Sequence, residues 1–564
     1  MTDRERAEQW LAQDPDPVTQ AELGLILETG DEAALADRFG ATLEFGTAGL
    51  RGELGAGPNR KTRVTVMRAA AGLGNRLLAG QPAERPSVFA VMVGYDARHG
   101  SRQFAQDTAA VLTGQGIRAW VLPRPLPTPV LAYAVRHLSA NAGVMVTASH
   151  NPPRDNGYKV YWNDGAQIVP PVDSEISAEI ARVGRVDRLP LGVPPHQPRK
   201  PSDPTWKVLG EEIVLAYLDA ISRVPLGAAR DVRVAYTPLH GVGAATLIRA
   251  FMDFGFAAPM VVPEQCLPDP DFPTVSFPNP EEPGVMDLVL GLATQIGADL
   301  ALANDPDADR CAVAVPLPGG GWRMLTGDEV GGLLAEHILR HTSGGDRLVA
   351  TTIVSSSLLG KIAESYGVNF AETLTGFKWI MKAGSPLHRL VFGYEEALGY
   401  SLGGDKGVPV HDKDGISAAL AVAALAASAK REGLTLLDLL EDQALRFGVH
   451  ATSQLSVRVD DLSLINDAMA RLRRSPPAML GGHEVTLVED LAEGVNNLPP
   501  TEGLRLTLSG GVRVVIRPSG TEPKLKSYLE VVVPVPDGNV AASRRAATMT
   551  IEALKSDLAV VLGL

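Results

Sequence analysis

The sequence predicts an α/β protein of four domains, the first three sharing one strand–helix layout and the last of α+β type. Three observations predict it. The 564 residues exceed what one hydrophobic core organises. A β-branched strand, a loop of Gly, Ser or Pro, an amphipathic helix, a glycine stop and a second short strand recur three times, at spacings above 100 residues. Such spacing indicates duplicated parallel α/β domains and not a solenoid. After about residue 447 the pattern changes to alternating strands closed by one long helix.

In the first copy a strand over 88–93 leads through GYDARHGS into a helix over 102–112, a stop at Gly114 or Gly116, and a strand over 120–122. The second runs from a strand at 232–236 through TPLHGVG and a helix ending at Phe254 to Gly255 and a strand at 260–262. The third runs from 348–354 through Ser355, Ser356 and Ser357 and a helix ending at Tyr366 to Gly367 and a strand at 368–370. Proline and glycine mark joints at 189–204 (LPLGVPPHQPRKPSDP) and 316–321 (PLPGGG). The expected domains are 1–205, 206–318, 319–447 and 448–564. Strands are expected at 452–459 and 512–516, and a final helix at 541–562.

Composition excludes several classes of function. Hydrophobic residues make up 45% and charged residues 21%, as in a globular protein. No segment approaches the ~20 apolar residues of a membrane span. The longest apolar stretch, 416–429, is short, alanine-rich and interrupted by Ser417 and Ser428, and reads as a buried helix. The start, MTDRERAEQW, carries charge where a signal peptide needs an apolar run, and a cytoplasmic location is the expectation. Cys266 and Cys311 are too few for a disulfide framework and lack zinc spacing. A net charge of −13 argues against nucleic acid as partner, yet a few converging cations or one metal can still capture a small anion.

Between residues 144 and 160 the chain reads VMVTASHNPPRDNGYKV, which places Ser149 on a tight polar turn with His150 beside it and Lys159 ten positions on. A serine that carries a phosphoryl group needs nearby bases, cations or a metal. Asp305, Asp307 and Asp309 alternate on a loop after an apolar strand and can turn toward one point, a hard oxygen set suited to Mg²⁺. A solvated acidic turn is the alternative. An EF-hand loop fails, because its sixth position would be Arg310 and its twelfth Pro316.

The segment 513–526, RVVIRPSGTEPKLK, ends a strand in a Ser-Gly-Thr turn between cations, able to cradle an anion or simply to be a solvated hairpin turn. GYEEALGY at 393–400 puts adjacent carboxylates after a strand, where one could accept hydrogen bonds from sugar hydroxyls. Taken alone it reads as a helix start stabilised by acids. FGTAGLRG at 45–52 is a glycine-rich loop presenting Arg51, unspecific in isolation.

Together and in this order the segments closely resemble the α-D-phosphohexomutase family of phosphoglucomutases and phosphomannomutases. TASHNP resembles its phosphoserine loop, DPDADR its magnesium loop, GYEEALG its sugar-binding loop and RPSGTEP its phosphate-binding loop. The resemblance implies four domains around a central cleft, three sharing one α/β topology. It implies that Ser149 is phosphorylated, with Asp305, Asp307 and Asp309 holding Mg²⁺ together with a phosphoserine oxygen. Lys159 matches a lysine of general acid or base work, Arg51 and His150 match neighbours of the reacting phosphate, and Lys413 matches another proton-transfer or phosphate-contacting group. Glu395 would grip sugar hydroxyls. Arg517, Ser519, Gly520, Thr521 and Lys526 would bind the non-transferring phosphate, and Thr375, Gly376 and Lys378 lie in a loop that feels the anomeric end.

One departure concerns specificity. Many members carry a hydroxyl residue two positions after the sugar-binding glutamate, where this chain has Ala397. With Tyr394, TGFKWI and the chain length, this resembles the subgroup of phosphoglucomutases and phosphopentomutases. The implied activity is interconversion of glucose 1-phosphate and glucose 6-phosphate through a bisphosphorylated sugar, with a sugar 1,6-bisphosphate as activator, in a monomer or small homo-oligomer. Phosphopentomutase and phosphomannomutase are the alternatives. A bisphosphate synthase or phosphatase would use the same serine, whereas a silent sugar-phosphate binder would be expected to lack Ser149 or the aspartates.

Overall fold

The computed structural model describes residues 1–46, 48–79, 89–197, 206–459, 462–495, 498–518 and 524–563. The chain divides into two compact units. The first comprises Met1–Val224, Arg230–Met324 and Pro409–Ala423, and the second Pro225–Ala229, Leu325–Val408 and Ala424–Leu564.

The first unit begins with the helices Asp3–Leu11, Pro17–Thr29 and Glu32–Phe39, whose orphan N–H groups are capped by Thr2, Asp16 and Asp31. They bury Trp10, Leu23, Leu35 and Phe39 in a core shared with the helix Arg63–Ala79. Its first sheet has six strands in the order Leu50–Glu53, Asp155–Trp162, Ala142–Val146, Ala90–Tyr95, Arg118–Val121 and Trp206–Val208. Its second has five, in the order Trp322–Met324, Ala312–Pro316, Leu300–Ala303, Val234–Thr237 and Met260–Val261.

The second unit holds a four-stranded sheet in the order Asn369–Thr373, Arg347–Thr352, Arg389–Glu395 and Gly399–Leu402. Its other sheet is antiparallel, in the order Val449–Arg458, Lys524–Val533, Val512–Pro518, Leu504–Leu508, His483–Asp490 and Met479–Leu480. The helices Leu462–Arg474 and Val540–Leu562 bury Ile465, Met469, Ile551, Leu554 and Leu558 in its core. The last two sheets thus match the α/β and α+β types expected of the chain's second half.

The first three sheets repeat one topology. A leading strand pairs in parallel with the next strand on one side and with a third on the other, after helical crossovers. The third strand then turns back into an antiparallel neighbour. This places the turns 147–154, 304–311 and 396–398 at equivalent positions, at the carboxyl ends of the parallel strands, where α/β sheets bind ligands. Each turn contains a non-glycine residue at positive φ: Ser149 at 54°, Ala308 at 55° and Leu398 at 62°.

Three boundaries differ from the sequence expectation. Trp206–Val208 pairs with Arg118–Val121, so the first sheet extends past 205. Residues 316–321, read as a joint, are the turn of a hairpin in which Ala314 faces Met324, so the second sheet extends past 318. Residues 409–423 belong to the first unit, whereas 325–408 belong to the second. GYEEALGY is a strand and hairpin turn, not a helix start, because Tyr394 pairs with Tyr400 across it. The expected buried helix appears as Gly415–Arg431. Residue 88, the expected start of the first strand, and 198–204 of the proline-rich joint lie outside the described residues. No helix among the described residues is long and apolar enough to cross a membrane.

Two buried titratable groups yield predictions. Lys61 is 1% exposed, and its Nζ has no hydrogen-bond partner among the described residues. It lies over the Tyr158 and Phe104 rings at 5.0 and 5.9 Å, and burial lowers its pKa well below the ordinary lysine value. The unfolded chain therefore binds the extra proton, and stability rises with pH until the unfolded lysine also titrates. Lys61→Met is expected to raise the unfolding free energy of the first unit by roughly 1–3 kcal/mol at neutral pH. The gain should shrink as pH rises toward about 10, as denaturant titrations at several pH values would read.

Glu396 accepts hydrogen bonds from Ser355 Oγ at 3.1 Å and Thr352 Oγ1 at 3.3 Å. Burial, then Glu395 and Asp328, push its pKa up from 4.5 to about 7. Here the folded state binds the extra proton, so this contribution is full below pH 4.5 and is lost as pH rises to about 7. Glu396→Gln should therefore flatten that loss. Its gain over wild type should approach about 3 kcal/mol above roughly pH 8 and vanish near pH 4, measured as the second unit's unfolding free energy.

Candidate functional site

Ser149 follows the buried strand Ala142–Val146 and adopts its left-handed backbone with two supports. Its N–H donates to Thr147 Oγ1 at 2.9 Å, and Arg98 donates to the carbonyl of Ser149 at 2.7 Å and that of Pro152 at 2.8 Å. The Arg98 guanidinium also lies 4.8 Å over the Phe272 ring. Ser149 is 3% exposed, with its Oγ 2.6 Å from Asp305 Oδ2 and 3.3 Å from His150 Nδ1.

The strand Leu300–Ala303 delivers Asn304 and the three aspartates. Asn304 donates to the Arg310 carbonyl at 2.6 Å, and the Ala308 N–H donates to the Asp305 carbonyl at 2.8 Å, which curls the loop. Gly241 approaches so closely that a Cβ there would lie 2.3 Å from Pro306 Cα. Asp305, Asp307 and Asp309 are fully buried and offer carboxylate oxygens within 4.8 Å of one another. Asp307 Oδ1 and Asp309 Oδ1 are buried with no hydrogen-bond partner among the described residues.

Cations surround this cluster. Lys159 Nζ lies 2.7 Å from Asp307 Oδ2 and 3.0 Å from Asp309 Oδ2, while Lys413 Nζ lies 3.4 Å from Asp309 Oδ2. Burial works to lower the Lys159 pKa, but Asp307 and Asp309 outweigh it and the net shift is upward. Asp309 is held below the carboxylate range: burial opposes this, and Lys159, Lys413 and Arg310 overcome it. Burial, joined by Arg310 and Arg51, keeps His150 well below the ordinary histidine value. Arg51 lies on Leu50–Glu53, which pairs with Asp155–Trp162 two positions from Lys159, and interacts electrostatically with Asp307 and Asp309.

Of the residues singled out in sequence, the structure thus brings Ser149, His150, Lys159, Arg51, Lys413 and the three aspartates together in the first unit. It adds Thr128, which no motif marked, and Asp412, the neighbour of Lys413. Thr128 donates to Asp307 Oδ2 at 2.7 Å, and Asp412 accepts from Tyr161 at 2.6 Å and from Gln167 at 3.0 Å. Arg98 lies in the GYDARHGS loop, where the only sequence signal was an arginine after a strand.

The other singled-out residues lie in the second unit. Glu395 ends its strand half-buried, and Tyr394 donates to buried Asp328 at 2.9 Å. Thr375 and Gly376, the latter at φ 105°, precede the short helix Phe377–Met381 that carries Lys378. Arg517 and Lys526 are direct partners across adjacent antiparallel strands, and Arg517 Nε is buried with no hydrogen bond among the described residues. Ser519, Gly520 and Thr521 lie outside the described residues, as does Thr47 of the glycine-rich loop.

Comparison with known proteins agrees with this arrangement. Residues 42–186, 215–319 and 326–447 match the alpha/beta/alpha domains I, II and III of phosphoglucomutase/phosphomannomutase, and 457–542 match its C-terminal domain. A Haemophilus influenzae protein described as "Probable phosphomannomutase" is 44% identical over 83% of this chain and 92% of its own. The phosphopentomutase of Mus musculus is 35% identical over 94% and 90%, and the glucose 1,6-bisphosphate synthase of Homo sapiens 33% over 97% and 92%. In fold, the chain resembles the phosphoglucomutase parafusin from Paramecium, with a TM-score of 0.67 at 20% identity over 93% of this chain and 97% of that one. Four matched domains and relatives aligned along nearly their full lengths establish that the chain belongs to the phosphoglucomutase/phosphomannomutase family of phosphomutase enzymes.

Proposed function

We propose that this enzyme interconverts glucose 1-phosphate and glucose 6-phosphate through a phosphorylated Ser149 and a sugar 1,6-bisphosphate. The observation that carries the reading is the 2.6 Å contact of Ser149 Oγ with Asp305 inside a buried cluster of three carboxylates and several cations. A serine in that setting is placed to receive and release a phosphoryl group.

The aspartates fit a divalent ion: hard oxygen donors converge, and two buried carboxylate oxygens make no hydrogen bond among the described residues. Asp305, Asp307 and Asp309 would hold Mg²⁺ with an oxygen of the phosphorylated serine. When bound, the ion supplies charge neutralisation for the transferring group. In the first half-reaction the free sugar hydroxyl attacks phosphorus, the bond to Ser149 Oγ breaks, and Oγ keeps the electron pair. The hydroxyl proton passes to a base of the cluster, where uncharged His150 is the group in place, while protonated Lys159 would return a proton to the departing Oγ and Lys413, beside Asp309, would contact the phosphate or share in proton transfer. The bisphosphate reorients, and its other phosphate returns to Ser149 by the same step reversed. Arg51 adds positive charge beside the aspartates. Glu395 would accept from sugar hydroxyls, Thr375, Gly376 and Lys378 would face the anomeric end, and Arg517, Lys526 and the loop of Ser519, Gly520 and Thr521 would take the non-transferring phosphate. A sugar bisphosphate then serves as activator by phosphorylating Ser149.

A pentose phosphate is the second reading, supported by Ala397 and by phosphopentomutase relatives that align along 94% of this chain. A missing hydroxyl partner alters discrimination between sugars.

Ser149→Ala is expected to lower turnover at least ~10³-fold while sugar-phosphate affinity changes only a few-fold, since the nucleophile and not the binding groups is removed. Stopped assays for turnover and calorimetry for binding read the two effects separately; retained turnover refutes the serine's role. Assayed with Mg²⁺ and a trace of glucose 1,6-bisphosphate against glucose, ribose, mannose and glucosamine 1-phosphates, the enzyme should show its highest kcat/KM with the glucose compound. A higher value with ribose 1-phosphate selects the second reading.

A further inference from the structure

Thr128 reaches the aspartate cluster from outside the aspartates' own loop. It opens the helix Thr128–His137, which packs against the strands Ala90–Tyr95 and Ala142–Val146 of the first sheet. The chain arrives there through LPTP at 126–129, where the Leu126 N–H donates to the Tyr95 carbonyl at 3.1 Å and a proline on each side of Thr128 restricts φ. Pro129 costs the helix no hydrogen bond, because first-turn N–H groups have no partner within a helix. A threonine near a helix start commonly caps it, yet no side chain caps this one. Thr128 instead donates to Asp307 twice, from its N–H to the Asp307 carbonyl at 2.9 Å and from Oγ1 to Oδ2 at 2.7 Å. Both residues are fully buried, and they come from different domains of the family match, 42–186 and 215–319. One rigidly carried residue thus fixes both the backbone and the carboxylate of Asp307.

The other donor to Asp307 Oδ2 among the described residues is Lys159 Nζ, at 2.7 Å. These two donors respond differently to a metal. A divalent ion entering among the three carboxylates becomes the largest positive charge there and repels the ammonium group of Lys159. The Thr128 hydroxyl carries no net charge and feels no such repulsion. It is the donor able to keep the Asp307 carboxylate in one orientation both before and after an ion arrives.

We propose that Thr128 is a positioning residue that holds the Asp307 carboxylate for a divalent cation, an inference that rests on the reading of the three aspartates as a metal site. The probe is Mg²⁺ alone, titrated calorimetrically into the full-length protein, with Ser149 phosphorylation matched between variants by intact mass. Wild type should bind one equivalent. Thr128→Val, close to threonine in shape but without the donor, should weaken Mg²⁺ binding at least about tenfold, and Thr128→Ser should restore it to within about threefold. The Mg²⁺ concentration that gives half-maximal turnover should rise by the same factor. Thr113→Val removes another buried hydroxyl of the first unit, one that donates to the Ala109 carbonyl of its own helix at 2.6 Å, and should leave Mg²⁺ affinity unchanged. Should Thr128→Val not fold, Thr128→Ala carries the same expectation. The inference alone is overturned if wild type binds Mg²⁺ and a folded variant without the hydroxyl binds it as tightly, if Thr128→Ser fails to restore binding, or if Thr113→Val weakens it as much. Absence of Mg²⁺ binding by wild type overturns the metal reading and this inference together.

Discussion

Three aspartates buried within 4.8 Å of one another are the constraint around which the first unit is arranged. Like charges in a medium of low polarity repel strongly, and each also loses its hydration. Lys159 answers Asp307 and Asp309 at once, Lys413 approaches Asp309 from a segment far along the chain, Thr128 adds a second donor to Asp307, and Asp305 is met by the Ser149 hydroxyl and the Arg310 N–H. The charge balance thus gathers residues from 51, 128, 149, 159, 305–309 and 413 at one place. Lys413 lies in 409–423, a segment that belongs to the first unit. Two carboxylate oxygens make no hydrogen bond among the described residues, which is the chemistry a divalent cation would complete.

The fold solves a positioning problem by repetition. In each of the first three sheets the chain leaves a parallel strand and returns antiparallel, and that one connection carries the serine, the aspartates or the Glu395–Glu396 pair. A buried strand on each side fixes both ends of the turn, and a single left-handed residue lets it reverse tightly. At Ser149 that conformation is costly for a side chain bearing a Cβ, and it persists because Arg98 clamps the neighbouring carbonyls. The serine hydroxyl is therefore aimed by the backbone and not by its own rotamer alone.

Much of this was legible in the sequence, because strand periodicity, glycine stops and polar turns are local signals. The three strand–helix repeats, the long terminal helix and the convergence of Asp305, Asp307 and Asp309 all follow from short segments. What escaped depends on pairing between distant segments. Trp206–Val208 looked like the start of a new domain because its partner, Arg118–Val121, is remote in sequence. The glycines of 316–321 signal a turn, but only cross-strand register shows that the turn lies inside a sheet. Arg98 and Thr128 gave no motif, since their importance comes from which carbonyl or carboxylate the fold brings to them.

The last sheet pairs some of its cations with acids and sets others side by side. Along it, Arg505 meets Glu489 at 2.6 Å and Glu372 at 2.8 Å, and Arg513 meets Glu530 at 2.8 Å. These pairs neutralise the interior cations of the sheet. At its end Arg517 stands directly opposite Lys526, two positive residues on one face of adjacent strands, an arrangement that repels. Arg517 Nε is buried there with no hydrogen bond among the described residues. In the reading proposed above, a sugar phosphate would supply an acceptor there and offset the repulsion. Charge recognition of this kind would be indifferent to which carbon of the sugar bears the phosphate, as the reaction proposed above requires.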